Sequence, residues 1–434
     1  MMASINELYK IYLQYPYIST DTRNIKKDSL FFALKGEKFN ANEFAADALK
    51  SGAKYAIIDE EKYKVSDSYL LVDDVLETLQ HLATHHRQQL QIPVIAIVGS
   101  NGKTTTKELL TAVLKQKFNV LATPGNFNNH IGLPLTILQI TPAHELAIIE
   151  MGANHVNENA FLCDIALPSM GIVTNNGKDH LEGFGSMEGV IASNMELFTF
   201  LAKNNGVAFI NKHDESLMQM AENVSNKKTY AANFEGRTMQ ADYACFANAI
   251  RPTIEFTLPN GTLPIHSNLS GDYNFDNIMV AVAFGLYLNL SETEIKNGVE
   301  SYQPANNRSQ IVKTNTNTIY MDAYNANPSS MELSIKNFAA MPFNDKVLFL
   351  GDMFELGKYT EEEHQAIVNL CQTLLLKEVY LCGHDFAKTQ THYKTFATTN
   401  DCLTYIQANP IKHKNIFMKG SRGMKLESLV PALD

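Results

Sequence analysis

The chain has 434 residues, a length that suits about three domains, and 45% hydrophobic residues give it material for substantial cores. With 36 Lys and Arg against 46 Asp and Glu, its formal charge is -10, which argues against a broad nucleic-acid surface but leaves room for a phosphate-bearing small molecule held by local amides and one lysine. The scattered Cys163, Cys245, Cys371, Cys382 and Cys402 form no Cys-x-x-Cys pair, which speaks against a zinc site or a disulfide framework and for thiols kept in a reducing compartment.

The opening residues lack a basic start followed by an apolar stretch, so no signal peptide is expected. No run approaches the roughly 20 apolar residues of a spanning helix. A cytoplasmic chain without membrane insertion follows as the expectation.

Residues 1–90 read as a small α/β unit. "SLFFALKG" is an apolar strand ended by Gly36, "NEFAADALKSGA" has helical spacing and closes on Gly52, and "KYAIIDE" is a second strand. "ETLQHLATHHRQQL" is helical and stops before Pro93. Its His81, His85 and His86 have the spacing of a metal pair, but no carboxylate or cysteine follows nearby, so a packed or exposed helix face is expected.

From 91 to 310 strands and helices alternate: "PVIAIVG", "TTKELLTAVLKQ", "ELAIIEMG", "MGIVTN" and "VAFINK". Short apolar strands separated by helices imply a parallel sheet, with ligands at the carboxyl ends of the strands. Three strands end in chemistry, at Gly99, Glu150 and Asn175. After about Tyr230 come short β-like runs, then the helix "NFDNIMVAVAFGLYL", then "SYQPANNRSQ", whose Pro304 marks a linker. Residues 311–434 alternate again, through "NTIYMDAYNANP", "SSMELSIKNFAAM", "KVLFLGDM", "EEEHQAIVNLCQTL", "EVYLCG" and "NIFMKGSRG".

Gly99, Ser100, Asn101, Gly102, Lys103, Thr104 and Thr105 form a phosphate loop between a strand and a helix. Glycines let successive amides turn toward phosphate oxygens, and the helix start adds its positive end. Lys103 suits the terminal phosphates and Thr104 suits Mg. The loop is short: the usual pattern has a glycine five residues before the second, where this chain has Ile97. Glu150, at a neighbouring strand tip, suits Mg as well. At the third tip, "TNNGKDHLEGFGS" carries Lys178, Asp179 and His180. In "DAYNANPSSM", Asp322, Tyr324, Asn325 and Asn327 exceed what a helix cap needs and suit recognition of a base, a ribose or a peptide.

Taken together, "GSNGKTTT", "GNFNNHIGLPLTIL", "IEMGANH", "TNNGKDHLEGFGS", "GDYNFDN", "NNRSQ", "DAYNANPSSM", "LGDMFELG" and "KGSRG" resemble, in order, the motifs of the Mur ligases. The resemblance covers essentially the whole chain, including "STDTR" and "SLFFALKGEKFN". It implies an α/β protein of three domains: a small N-terminal UDP-binding domain, a central P-loop mononucleotide-binding parallel sheet and a C-terminal Rossmann-like domain. "DAYNANPSSM" with "HLEGFGS" points to the branch that joins D-Ala-D-Ala to UDP-MurNAc-tripeptide through an acyl phosphate, using ATP and Mg, as a monomer. A sister Mur ligase, a folylpolyglutamate synthase-like enzyme and a catalytically impaired nucleotide-binding homologue are the alternatives.

By the same resemblance, Lys103 holds the β- and γ-phosphates, and Thr104, Glu150 and His180 serve Mg. Asn277, Arg308, Asp322, Asn325 and Asn327 complete the ATP site. Thr22 and Arg23 meet the uridine end, and Asn129 and His130 the muramoyl substrate. One departure stands out. Relatives often carry a lysine, modified to a metal-binding carbamate, where this chain has Asn194. Either a nearby carboxylate, Asp179 or Glu196, takes that place, or activity is impaired.

Overall fold

Five consecutive buried aliphatic residues make the strand Val94–Val98. Its side chains alternate between two cores: Val94, Ala96 and Val98 face one, Ile95 and Ile97 the other. A strand buried on both faces belongs in the middle of a layered α/β sheet. The computed structural model, which describes residues 2–434, has it there, within a nine-stranded sheet. The sheet is parallel from Val120–Ala122 across to Tyr243–Ala249. Glu255–Thr257 and Ile265–His266 then close that edge antiparallel.

Val94–Val98 lies between Leu146–Glu150 and Met170–Val173, the next strands in the sheet on either side. The chain leaves Val94–Val98 toward Val120–Ala122 on one side and leaves Met170–Val173 toward Val207–Asn211 on the other, so a crevice opens at the carboxyl ends of these two neighbours. The helix Lys103–Leu114 packs on one face against Asp272–Tyr287 and Glu292–Ser301, while Glu158–Ala166 and Met187–Lys203 cover the other.

The first unit holds a four-stranded parallel sheet of Ile18–Ser19, Leu30–Phe32, Tyr55–Ile58 and Tyr69–Leu71. Its helix Val75–Gln88 packs on the central unit's Gly132–Ile137 and Glu158–Ala166, so one hydrophobic core runs from Leu8 and Leu30 into Val94 and Leu162. Of the three histidines of that helix, His81 is exposed, while His85 and His86 belong to a packed face. His86 is buried with Nε2 2.8 Å from Ile140 O and Nδ1 3.2 Å from the Tyr9 hydroxyl, and burial lowers its pKa. His85 meets the Tyr9 ring edge-on. The helix Ile5–Gln14, which the sequence reading left unassigned, starts with a Ser4–Glu7 capping box and buries Leu8 and Tyr12, one turn apart.

The third unit is a six-stranded sheet, parallel except for its edge strand Gln310–Lys313. Thr318–Asp322, Asn415–Lys419 and Lys346–Gly351 are adjacent, so Asp322, Lys419 and Gly351 end side by side. No helix among the described residues is long and apolar enough to cross a membrane.

Candidate active site

Gly99 leaves its strand with φ +125° and Gly102 turns with φ +81°. Neither position admits a side chain. A Cβ on Gly99 would lie 2.2 Å from Thr174 Oγ1, and one on Gly102 2.6 Å from Asn277 Oδ1. The loop between them is bound to the next strand tip. Ser100 N–H donates to Asn175 O at 3.0 Å, Asn101 N–H to Asn175 Oδ1 at 3.1 Å, and Asn175 Nδ2 back to Asn101 O at 3.0 Å.

No side chain caps the helix Lys103–Leu114, so its first amides stay open and its positive end makes an anion seat. Lys103 folds its ammonium back onto the carbonyls of Gly99 and, at 3.3 Å, Ser100.

Glu150 is buried at the tip of Leu146–Glu150. Its Oε1 accepts from the Thr104 hydroxyl at 3.2 Å and Asn128 Nδ2 at 2.9 Å. Its Oε2 has no hydrogen bond, although the buried Lys107 ammonium lies 3.4 Å away. A buried carboxylate oxygen that accepts no hydrogen bond, next to a hydroxyl, is a donor set that a hard oxygen-seeking cation fits. His180, at φ +46°, holds Glu355 Oε2 at 2.5 Å from Nδ1 and leaves Nε2 without a hydrogen bond.

The third unit closes on this site. Asn327 caps the helix Pro328–Ala339, accepting Ser330 N–H at 2.8 Å, and its Nδ2 donates to Asn101 Oδ1 at 2.8 Å. Lys178 N–H donates to Ser329 Oγ at 2.8 Å, and the Lys178 ammonium pairs with Glu363. Asp322 takes the buried Lys419 as its partner, while Asn325 Oδ1 accepts Ala326 N–H at 2.9 Å. The Arg308 guanidinium stacks 3.6 Å above the Tyr324 ring centroid.

Ser100, Asn101, Gly102, Lys103, Thr104 and Thr105 line one cleft of about 490 Å³ together with Asn129, His130, Glu150, His180, Asn277, Arg308, Asp322, Asn325 and Asn327. Gly99 shapes the loop without lining the cleft. Thr22 and Arg23 do not line it either. They form a short turn on the first unit, where Arg23 pairs with Asp21 at 2.7 Å. Asn129 Oδ1 is used by the turn before Gly132–Ile137, accepting Ile131 and Gly132 N–H at 3.1 and 2.9 Å. Asn277 buttresses the phosphate loop and accepts the Thr106 hydroxyl at 3.1 Å.

The sequence reading missed Asn128 and Lys107. Lys107 is one helical turn beyond Lys103, a spacing that puts both on one face. Asn128 sits inside a quoted motif whose next two residues drew the attention.

At the departure, Asn194 is buried on Met187–Lys203 and donates Nδ2 to Asn176 Oδ1 at 2.9 Å. Glu196 accepts Asn157 N–H at 2.6 Å and Ala160 N–H at 2.8 Å, so it serves the start of Glu158–Ala166; burial raises its pKa. The Asp179 side chain is buried and its Oδ1 has no partner. A separate cluster, Asp352, His364 and Asp385, is consumed by its own backbone: His364 Nε2 accepts Met353 N–H at 3.1 Å, and Asp352 accepts Asp385 and Phe386 N–H.

Two family models match the chain, the Mur ligase middle domain over residues 97–285 and the Mur ligase, glutamate ligase domain over residues 307–412. The UDP-N-acetylmuramoyl-tripeptide–D-alanyl-D-alanine ligase of Bacillus subtilis (strain 168) is 33% identical over 431 residues, covering 96% of this chain and 92% of its own. A crystal structure of MurF from Acinetobacter baumannii has a TM-score of 0.84 at 30% identity, covering 96% of this chain and 93% of that one. The MurF ligase from Thermotoga maritima in complex with ADP has a TM-score of 0.85 at 25% identity, covering 97% of each chain.

Proposed function

We infer function from one premise: this chain belongs to the Mur ligase family. It is an ATP-dependent ligase that forms a C–N bond, joining D-Ala-D-Ala to UDP-MurNAc-tripeptide in peptidoglycan precursor synthesis. The observation that carries the site reading is the convergence of Lys103, Thr104 and Glu150 beneath a third-unit residue, Asn327, bonded to Asn101.

A carboxylate is a poor electrophile. Transfer of the γ-phosphoryl group of ATP to the terminal carboxylate of the tripeptide makes an acyl phosphate with a good leaving group. The dipeptide amine attacks that carbonyl, and the C–O bond to phosphate breaks as the amide forms. The protein's task is to align anions and offset their charge. To Lys103 and the open amides of its helix we assign the β- and γ-phosphates, and to Arg308 the neutralisation of phosphate charge from the other wall. Asn277 holds the loop in shape, and Asp322, Asn325 and Asn327 close the nucleotide site from the third unit.

Thr104, Glu150 and His180 are the residues that would hold Mg, and the absence of a hydrogen bond to Glu150 Oε2 supports that assignment. Bound Mg supplies positive charge to the phosphate oxygens. To Asn129 and His130 we assign the muramoyl substrate, and to Thr22 and Arg23 the uridine end. The units at 1–90, 91–310 and 311–434 then bind UDP, bind ATP and close the site. The chain works as a cytoplasmic monomer.

At position 194 the asparagine cannot become a carbamate. Of the two carboxylates able to substitute, Glu196 is used by backbone amides and Asp179 has a free oxygen, so Asp179 is our choice. A second reading, nucleotide binding without turnover, rests on the same Asn194. The deciding assay is phosphate release from ATP with UDP-MurNAc-tripeptide and D-Ala-D-Ala each added or omitted. Release that needs both supports the ligase; tight ADP binding with no release supports the second reading.

A further inference from the structure

The loop Lys419–Gly423 follows the strand Asn415–Lys419, between the tips that end in Asp322 and Gly351. Most of its polar groups are committed. Lys419 pairs with Asp322. Ser421 N–H donates to Asp352 O, and its Oγ accepts Phe354 N–H at 3.0 Å. Arg422 is different. Its side chain is 60% exposed, and its Cζ lies 5.6 Å from the centroid of the Tyr324 ring, whose side chain lines the cleft. Arg308 stacks on the same ring at 3.6 Å.

Two guanidiniums therefore share one ring at the edge of the cleft. A single carboxylate serves the pair: Glu427 Oε1 accepts Arg422 Nη1 at 3.3 Å. That contact orients Arg422 and leaves its Nε and Nη2 without acceptors. Excess positive charge on a carboxylate-braced guanidinium beside an aromatic ring is a seat for a planar anion taken by two parallel N–H bonds.

We propose that Arg422 receives the carboxylate of the incoming dipeptide. The inference rests on the ligase reading above. An amine that attacks an acyl phosphate must be neutral, so the dipeptide's one lasting charge is its carboxylate. In an extended dipeptide that charge lies on the order of 7 Å from the amine, twice as far as in a single D-alanine. A cation fixed at the cleft edge thus anchors the dipeptide by its far end and selects it over the single amino acid. Arg308 remains with the nucleotide. Arg422 is a specificity residue on the third unit's side.

The test is steady-state kinetics of Arg422→Gln and Arg422→Lys against D-Ala-D-Ala and its C-terminal amide, with ATP and UDP-MurNAc-tripeptide saturating and then varied. Charge-assisted hydrogen bonds of about 1.5–3 kcal/mol correspond to roughly 10–100-fold. Arg422→Gln should raise KM for the dipeptide by that factor and leave KM for ATP unchanged, with Arg422→Lys intermediate. The wild type should disfavour the amide, and Arg422→Gln should treat both alike. A shift in KM for ATP instead, or an amide still disfavoured by Arg422→Gln, overturns the proposal.

If the wild type shows no dipeptide-dependent turnover, the ligase reading has failed, and calorimetric titration of D-Ala-D-Ala into the same proteins decides. Binding lost in Arg422→Gln supports the seat. Equal binding in both, or none to the wild type, overturns it. Matching thermal melts exclude misfolding.

Discussion

Asn327 donates its side-chain amide to the side-chain oxygen of Asn101, 2.8 Å away and 226 positions earlier in the chain. The same side chain also caps the helix Pro328–Ala339. One residue thus starts a helix of the third unit and touches the phosphate loop of the second.

These two duties separate by substitution. Serine caps a helix about as well as asparagine but does not carry the amide. Asn327→Ser should keep the urea midpoint of the wild type and raise KM for ATP about 3–10-fold, the worth of one hydrogen bond. Asn327→Ala should show the same KM and lose about 1 kcal/mol of stability as well.

Glu150 and Lys107 form a buried ion pair. Glu150→Gln should lower turnover about 100–1,000-fold, by analogy with loss of one electrostatic stabiliser. It should also cost about 3 kcal/mol, because Lys107 keeps its charge without a counter-charge. Adding Lys107→Met should restore much of the stability and none of the turnover. Urea melts and phosphate release, run on the same samples, check both.

With Asn194 bonded to Asn176, no lysine is available there for carbamate formation. Turnover should be the same in bicarbonate-free buffer and with bicarbonate added. A dependence on bicarbonate would remove the basis for Asp179 as the substitute. Asp179→Asn should weaken Mg-dependent thermal stabilisation in the presence of a non-hydrolysable ATP analogue.

Burial raises the pKa of Asp276 from 3.8 to about 6, against the lowering effect of Arg237 3.1 Å away. A carboxyl that holds its proton more tightly when folded adds stability below about pH 4, and that contribution is lost as pH rises through about 6. Asn mimics the protonated acid. Asp276→Asn should match the wild type near pH 4 and be more stable by about 1 kcal/mol at pH 7.5, a figure reduced from the full shift because the side chain keeps some exposure. Thermal melts across pH 4–8 check the sign.

Much of the architecture was legible because its signals are local. "PVIAIVG" followed by Lys103-Thr104-Thr105 encodes a buried strand, a glycine turn and a helix start within a few residues, and the structure has each. The tips at Glu150 and Asn175 followed from where the apolar runs "ELAIIEMG" and "MGIVTN" give out, the second strand stopping at Val173, two residues before Asn175. What stayed hidden depends on partners far along the chain. Nothing near Asn128 announces Glu150, and nothing near Lys178 announces Glu363, 185 positions away. The helix Ile5–Gln14 carries only a faint local signal, the one-turn apolar spacing of Leu8 and Tyr12 behind a Ser4–Glu7 capping box. The motif "KGSRG" was visible, but the ring that gathers Arg422 and Arg308 is contributed by a third segment.

The Lys103 ammonium is held by the loop's own carbonyls, those of Gly99 and Ser100. A newcomer must therefore outcompete two dipoles before it gains the cation. A polyphosphate tail does so easily, since full negative charges attract an ammonium more strongly than neutral oxygens do. A bare nucleoside has nothing to offer in exchange. A cation held by neutral oxygens in this way responds to charge more than to the shape of whatever carries it.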